Sequence, residues 1–316
     1  MNDKPTSALP SRIGYLGPAG TFTEQALLTQ PDLAAAEHVL FPSFADIFHA
    51  ITNGDVDQAF VAIENSIAGS VNITLDTLIF ESELIIQREV VIPIVMNLLV
   101  KPGSTLEDIT EVRSIPIATE QCRGWLRERL PNAAMVASNA TAEAVQAVGK
   151  SSDGSVAAIG ASLAAEIYGL DILAPDIADH PGDQTRFVLV ERSGVAPRTG
   201  HDKTSIVVFQ RSNEPGSLLA ILQEFSARQI DLSKLESRPT KRELGDYCFL
   251  IDFHGHIADE VVADALRNLK AKGHKIKFLG SFAAAGGRSA ETRAEANKTW
   301  AEAKTWVADL QAGITQ

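Results

Sequence analysis

Short apolar runs and longer amphipathic stretches take turns along this chain. Residues 12–16, 38–41 and 58–63 are brief apolar runs with the composition of buried strands. Helical spacing follows each of them. One helix opens after Gly17-Pro18-Ala19-Gly20, with Thr21 as its cap and Glu24 as the reciprocal partner. A second is capped by Ser43 and stopped by Gly54, and a third covers 71–80. Residues 84–100 are long and β-branched, and read as two strands or one bent strand crossing into a second lobe. There the alternation resumes, with a short helix at 105–109 and strands at 114–118, 133–137 and 156–159. Helices at 120–130, 141–148 and 162–168 separate them, with Pro131 and Gly169 as stops. Residues 172–173 begin the return to the first lobe, which closes with the strand Phe187-Val188-Leu189-Val190. The pattern predicts two α/β lobes, an arrangement also used by periplasmic solute-binding proteins, with a cleft between them for a small molecule.

A second, smaller pattern follows a linker at 193–202 that holds Gly194, Pro197 and Gly200. It runs strand 204–210, helix from Pro215-Gly216, strands 232–235 and 247–253, helix 259–272 and strand 276–279. This βαββαβ order is ferredoxin-like, one sheet with helices on one face. The expected boundaries are 11–192 for the two-lobed domain, with lobe one at 11–85 plus 175–192 and lobe two at 86–174. The second domain takes 203–282, and 283–316 is a tail with one helix bearing Trp300, Ala303, Val307 and Leu310 on one side.

Composition narrows the partners. With 316 residues, 45% of them hydrophobic, the chain is long enough for two cores. A net charge of −12 without a basic stripe argues against nucleic acid and against anionic membranes. An anionic substrate would need a local positive pocket. Cys122 and Cys248 lie far apart without metal spacing and read as reduced thiols. Met1-Asn2-Asp3-Lys4-Pro5 lacks the apolar run of a signal peptide, and no stretch reaches ~18 apolar residues, so a cytoplasmic protein is expected.

Three stretches carry candidate chemistry. The turn at Gly17–Gly20 and the turn Glu64-Asn65-Ser66-Ile67-Ala68-Gly69-Ser70 each join a strand to a helix, where an open parallel sheet binds ligands. Read alone, each is equally a turn with a cap. In Asp183-Gln184-Thr185-Arg186-Phe187 a hydroxyl and a guanidinium stand at a strand's entry, a pair that suits a small anion or, more simply, a strand start and a surface charge. The spacing of Gly14, Gly17 and Gly20 departs from the dinucleotide fingerprint, and no Walker loop or zinc-binding helix motif is present.

Taken together, these residues resemble the prephenate dehydratases with a C-terminal ACT regulatory domain. The resemblance runs from about 12 to 282. It is carried by Gly14-Tyr15-Leu16-Gly17-Pro18-Ala19-Gly20-Thr21-Phe22-Thr23-Glu24, by Ile63-Glu64-Asn65-Ser66 with Gly69-Ser70, and by Gln121-Cys122 with Trp125-Leu126. Ala157-Ala158-Ile159 with Tyr168-Gly169-Leu170, and the signature Thr185-Arg186-Phe187, continue it. Pro215-Gly216-Ser217-Leu218 and Glu236-Ser237-Arg238-Pro239 are similar to the phenylalanine-binding motifs of ACT domains.

The resemblance implies decarboxylating dehydration of prephenate to phenylpyruvate in L-phenylalanine synthesis, with no metal or organic cofactor. It implies Thr185 as donor to the leaving hydroxyl, and Arg186 as either a carboxylate ligand or a residue that orders the site. Thr21, Asn65, Ser66, Gly69, Ser70, Ser114, Gln121 and Phe187 are expected at the substrate. Glu64 is read as a structural carboxylate in preference to an acid. For an L-phenylalanine effector it implies Asn213, Pro215, Gly216, Ser217, Leu218, Leu235, Glu236, Ser237 and Arg238, in a homodimer or homotetramer. The chain departs from the family at Ile115-Pro116-Ile117 (often His-Pro-Gln), Met96 (often His), Ala62 (often Pro) and Asp183 (often Asn). Arogenate dehydratase and a non-catalytic amino-acid sensor remain alternative readings.

Overall fold

The computed structural model describes residues 11–210, 214–243, 245–285 and 290–312. It divides into two compact units, Met1–Thr77 with Val90–Arg192, and Leu78–Glu89 with Ser193–Gln316.

In the first unit β1 (Arg12–Leu16) leads through α1 (Phe22–Leu28) and α2 (Pro31–Ala34) to β2 (Glu37–Phe41). The helix α3 (Phe44–Asn53) then leads to β3 (Gln58–Asn65), and β4 (Gly69–Ser70) folds back on it ahead of α4 (Asn72–Asp76). Ser43 caps α3 by accepting from Asp46 N at 3.2 Å, and Gly54 ends it in the left-handed region at φ 86°. Its face of Ile47, Phe48, Ala50 and Ile51 is buried, and full burial of such a side chain contributes about 2 kcal/mol each for the larger ones. Residues 71–80, expected as one helix, split into α4 and a π-helical turn, Thr77–Glu81. Residues 84–100 form two strands, β5 (Ile85–Pro93) and β6 (Asn97–Val100).

The second lobe adds β7 (Glu111–Ser114), α5 (Pro116–Gln121), α6 (Arg123–Arg129), β8 (Ala134–Ala137), α7 (Thr141–Lys150), β9 (Val156–Gly160), α8 (Ser162–Tyr168) and β10 (Asp171–Ala174). The strand expected at 114–118 does not form. β7 ends at Ser114, and Pro116 at the first helical position opens α5. The single helix expected at 120–130 is broken at Cys122, because the Asp179 carboxylate accepts from Gly124 N (2.7 Å) and Trp125 N (3.0 Å) and starts α6 anew. The chain then returns in β11 (Gln184–Glu191).

The first sheet runs β2-β1-β3-β11-β5, with β4 on β3, and the second β10-β6-β9-β7-β8. β1 is parallel to β2 and β3, and β11 is antiparallel to β3. One core serves both lobes, joining Ile13, Tyr15, Phe60 and Phe187 of the first to Leu98, Val112 and Ile159 of the second.

The second unit is β12 (Asp202–Phe209), α9 (Ser217–Ser226), β13 (Leu232–Pro239), β14 (Tyr247–His254), α10 (Glu260–Ala271), β15 (Lys275–Ala283) and α11 (Ala290–Ala312). Its antiparallel sheet, ordered β13-β14-β12-β15, has the expected βαββαβ succession. Ile206, Val208, Phe249, Ile251 and Phe253 pack with Ile221 and Phe225 of α9 and Val262, Ala265 and Leu269 of α10. The segment Leu78–Glu89 belongs to this unit although its neighbours in sequence belong to the first. The Phe80 ring meets Phe209 edge-on at 6.4 Å, and Lys277 Nζ donates to Ile79 O at 3.2 Å. Gly280 lies so close that a Cβ there would be 2.3 Å from Ile86 O. No helix among the described residues is long and apolar enough to cross a membrane.

Candidate active site

The last residues of β3 and the first of β11 lie side by side, with Thr185 paired to Asn65 and Arg186 to Glu64. Neighbouring strand residues project to opposite faces. Thr185 therefore shares a face with Asn65, and Arg186 shares the other with Glu64, where its Nη1 lies 3.6 Å from Glu64 Oε2. Arg186 and Thr185 are both buried.

Asn65 is held on every side. Its Oδ1 accepts from Ile67 N (3.0 Å) and Ala68 N (2.7 Å), which closes the turn back to β4. Since backbone N–H groups only donate, this settles which end of the amide is oxygen and which is nitrogen. Its Nδ2 then donates to Asp183 Oδ1 (2.8 Å) and to Thr185 Oγ1 (3.0 Å). A hydroxyl has one hydrogen and two acceptor sites. The Asn65 bond occupies an acceptor site and leaves the Thr185 hydrogen to a further partner.

Asp183, 4% exposed, is the centre of the cluster. Its Oδ1 also accepts from Ser66 Oγ (3.0 Å), and its Oδ2 accepts from Gln121 Nε2 of the second lobe (3.3 Å). Ser66 Oγ in turn accepts from Gln184 N (2.9 Å). The structure thus brings Thr185, Asn65, Ser66 and Gln121 to one place, with Gly69 paired to Asn65 on β4, while Ser70 is paired to Glu64. The sequence alone marks Asp183 only as the head of a candidate stretch and as a departure from the family. Its partners Gln121 and Asn65 lie 62 and 118 residues away, so no local pattern signals the cluster.

Other expected residues are engaged by partners of their own. Ser114 is fully buried and donates to Ile159 O at 3.0 Å. Phe187 is a core ring stacked on Phe60 at 5.6 Å and 14°. The Thr21 hydroxyl donates to Leu16 O (3.3 Å) and accepts from Glu24 N (3.1 Å) as the α1 cap. Glu24 completes the turn by accepting from Gly20 N (2.5 Å) and Tyr15 OH (2.9 Å), and not from Thr21 N as expected of a capping box. Burial first, and then Glu24, push the Tyr15 phenol well up, so it stays a neutral donor. An open groove of about 500 Å³ lies beyond β1 and β2 against the start of α7, lined by Leu16, Phe41, Ala140 and Gln146 and not by the Thr185 cluster.

In the second unit Gly216 caps α9 at φ 86°, and Ser217 Oγ donates to Gln210 Oε1 at 3.3 Å. Pro215 precedes this cap and Leu218 packs on the core. Leu235 and Ser237 are exposed on β13, at the sheet's edge, while Glu236 accepts from Arg238 Nη1 at 3.0 Å. Asn213 lies outside the described residues.

Comparison with known proteins matches the prephenate dehydratase family over residues 13–194 and the ACT domain over 204–271. A Mycolicibacterium vanbaalenii protein named prephenate dehydratase is 43% identical over 287 residues, covering 85% of this chain and 90% of that one. The crystal structure of prephenate dehydratase from Arthrobacter aurescens, in complex with L-Phe, matches with TM-score 0.86 and 39% identity over 96% of this chain and 100% of that one. A structure described as a quorum-quenching acylase, GqqA, matches with TM-score 0.77 and 27% identity over 87% of this chain and 98% of that one.

Proposed function

This chain belongs to the prephenate dehydratase family and carries an ACT domain, and from that premise we propose that Thr185 assists loss of the ring hydroxyl of prephenate. In this reaction the ring carboxylate leaves as carbon dioxide, and its C–C electron pair enters the ring. The hydroxyl departs as hydroxide, which takes a proton from solvent to become water, and phenylpyruvate remains. Aromatisation drives the change, so the protein need only hold the substrate, aid the leaving hydroxyl and leave the carboxylate poorly solvated. A Thr is too weak an acid to act by pKa. Its aimed hydrogen bond stabilises the charge that develops on the departing oxygen. The observation that carries this reading is the Asn65 bond to Thr185 Oγ1, which leaves the hydroxyl hydrogen to the substrate. Asn65 meets it directly, with Gly69 opposite Asn65 on β4, and Ser66 and Gln121 meet the neighbouring Asp183. Ser70 is a further proposed substrate contact. Arg186, on the face of Glu64, orders the strand pair.

L-Phenylalanine is the proposed effector, held between the α9 start and β13 of paired ACT units in a homodimer or homotetramer. The exposed edge position of β13 supports the pairing. Binding there controls turnover only through different affinity for two states of the enzyme.

The test is phenylpyruvate formation from prephenate, against a blank and against L-phenylalanine formation from arogenate. Thr185→Ala is expected to lower kcat by about 10²–10⁴-fold, and added L-phenylalanine to suppress the wild type. Faster turnover of arogenate would reassign the substrate. Turnover indifferent to L-phenylalanine would remove the regulatory half of the proposal.

A further inference from the structure

We propose that Asp183 is a positioning residue, which sets the direction of the Thr185 hydroxyl through Asn65. This rests on the reading of Thr185 as the donor to the leaving group. The Asn65 amide has two N–H donors and an oxygen with two acceptor sites. All four are engaged, the oxygen by Ile67 N and Ala68 N, the two hydrogens by Asp183 Oδ1 and Thr185 Oγ1. Asp183 is the only one of these partners contributed by a side chain other than Thr185 itself. It therefore decides whether the amide plane is pinned or free to rock about its backbone bonds. A rocking amide would release the acceptor site on Thr185 and let the hydroxyl turn its hydrogen inward.

The residue suits that task. It is buried, and its own carbonyl accepts from Ile94 N at 2.8 Å, so the carboxylate is fixed at its root. A carboxylate only accepts, so every group that faces it must present a hydrogen. Asn65, Ser66 and Gln121 all do. Gln121 is anchored by the same loop, as its carbonyl accepts from Asp179 N at 2.8 Å. Asp183 thus joins the two lobes at the point where the reactive hydroxyl is aimed. An Asn at 183 would keep Oδ1 for Asn65 and Ser66, and a turn of the Gln121 amide would present its oxygen to the new Nδ2. What the position requires is the Oδ1 acceptor, not the charge.

The experiment measures turnover of prephenate by the full chain as wild type, Asp183→Ala and Asp183→Asn, beside water exchange of the Asn65 side-chain amide. That amide is identified as the NH₂ pair missing from the spectrum of Asn65→Asp. Asp183→Ala is expected to lower kcat about 100-fold with KM within about threefold, the scale on which a misplaced catalytic group costs rate. Asp183→Asn is expected to stay within about threefold of wild type, and the Asn65 amide to exchange about tenfold faster in Asp183→Ala only. Asp183→Val, which fills the space without an acceptor, takes the place of Asp183→Ala should the smaller side chain leave the loop unfolded, with the same losses expected. Unchanged kcat in Asp183→Ala, a rise in KM alone, or an Asp183→Asn as impaired as Asp183→Ala would each overturn the proposal. A wild type without turnover overturns the reading of Thr185 instead, and the exchange rates then decide on their own whether Asp183 holds Asn65.

Discussion

A methyl group on Gly20 would sit 2.8 Å from both Cα and Cβ of Ala164, on a backbone already at φ +88°. Neither problem has a cheap remedy, since Ala164 belongs to the rigid helix α8 and L side chains rarely adopt that φ. Gly20→Ala is expected to destabilise the fold by about 1–3 kcal/mol, read from the midpoint of urea unfolding. The same close approach lets Tyr168 OH donate to Ala19 O at 2.9 Å, so the opening turn is fastened to the second lobe. Sequence could single out Thr185 as a candidate, because a Thr-Arg-Phe signature needs only three adjacent residues. It could not show that Asp183 gathers Asn65, Ser66 and Gln121, nor that Ser114 and Phe187 turn inward, because each depends on partners brought by folding. Arg186 lies between these cases. Its place beside Thr185 in sequence implies a shared site, whereas the pleat of β11 sends the two side chains to opposite faces.

Between elements, charge contributes where it is paired and partly buried. On α9 Glu224 accepts from Arg228 Nη1 at 2.7 Å and from Lys272, and Arg228 Nη2 reaches Asp264 Oδ2 of α10 at 2.8 Å. The hydrogen bond from Lys272, together with Arg228, holds the Glu224 carboxyl below its ordinary value of 4.5. A depressed folded-state value means that the unfolded chain binds the proton more readily. The stabilisation is therefore complete at neutral pH and is lost in acid, as pH falls through the lowered value. Glu224→Gln is expected to flatten this acid limb of a melting-temperature profile while leaving the α9 and α10 helical signals in place. Most elements could be read from periodicity, because Gly, Pro and capping residues bracket them, as Ser43 and Gly54 do for α3. Two could not. Residues 114–118 are apolar enough for a strand, yet Pro116 begins a helix. The break at Cys122 is imposed by Asp179, more than 50 residues on.

For the molecule as a whole, the telling observation is that Leu78–Glu89 clusters with the ACT unit while the residues on either side cluster with the catalytic one. Nothing in the hydrophobic pattern announces this, since a strand-like run looks the same whichever core receives it. Leu78, Ile79, Leu84 and Ile86 are each buried to within 3% or less of full coverage. A chain ending at Arg192 would strip these side chains of Phe209, Lys277 and Gly280. Such a truncation is expected to aggregate or to bind a hydrophobic dye at temperatures where the full chain does not, as followed by light scattering. The polypeptide passes between its two units three times, at residues 77–78, 89–90 and 192–193. The ACT domain is consequently not an appendage that a lineage could discard with a premature stop codon. Lineages that alter the ACT domain should therefore carry missense changes that spare its scaffold, because losing that scaffold would also uncover part of the other unit's own chain.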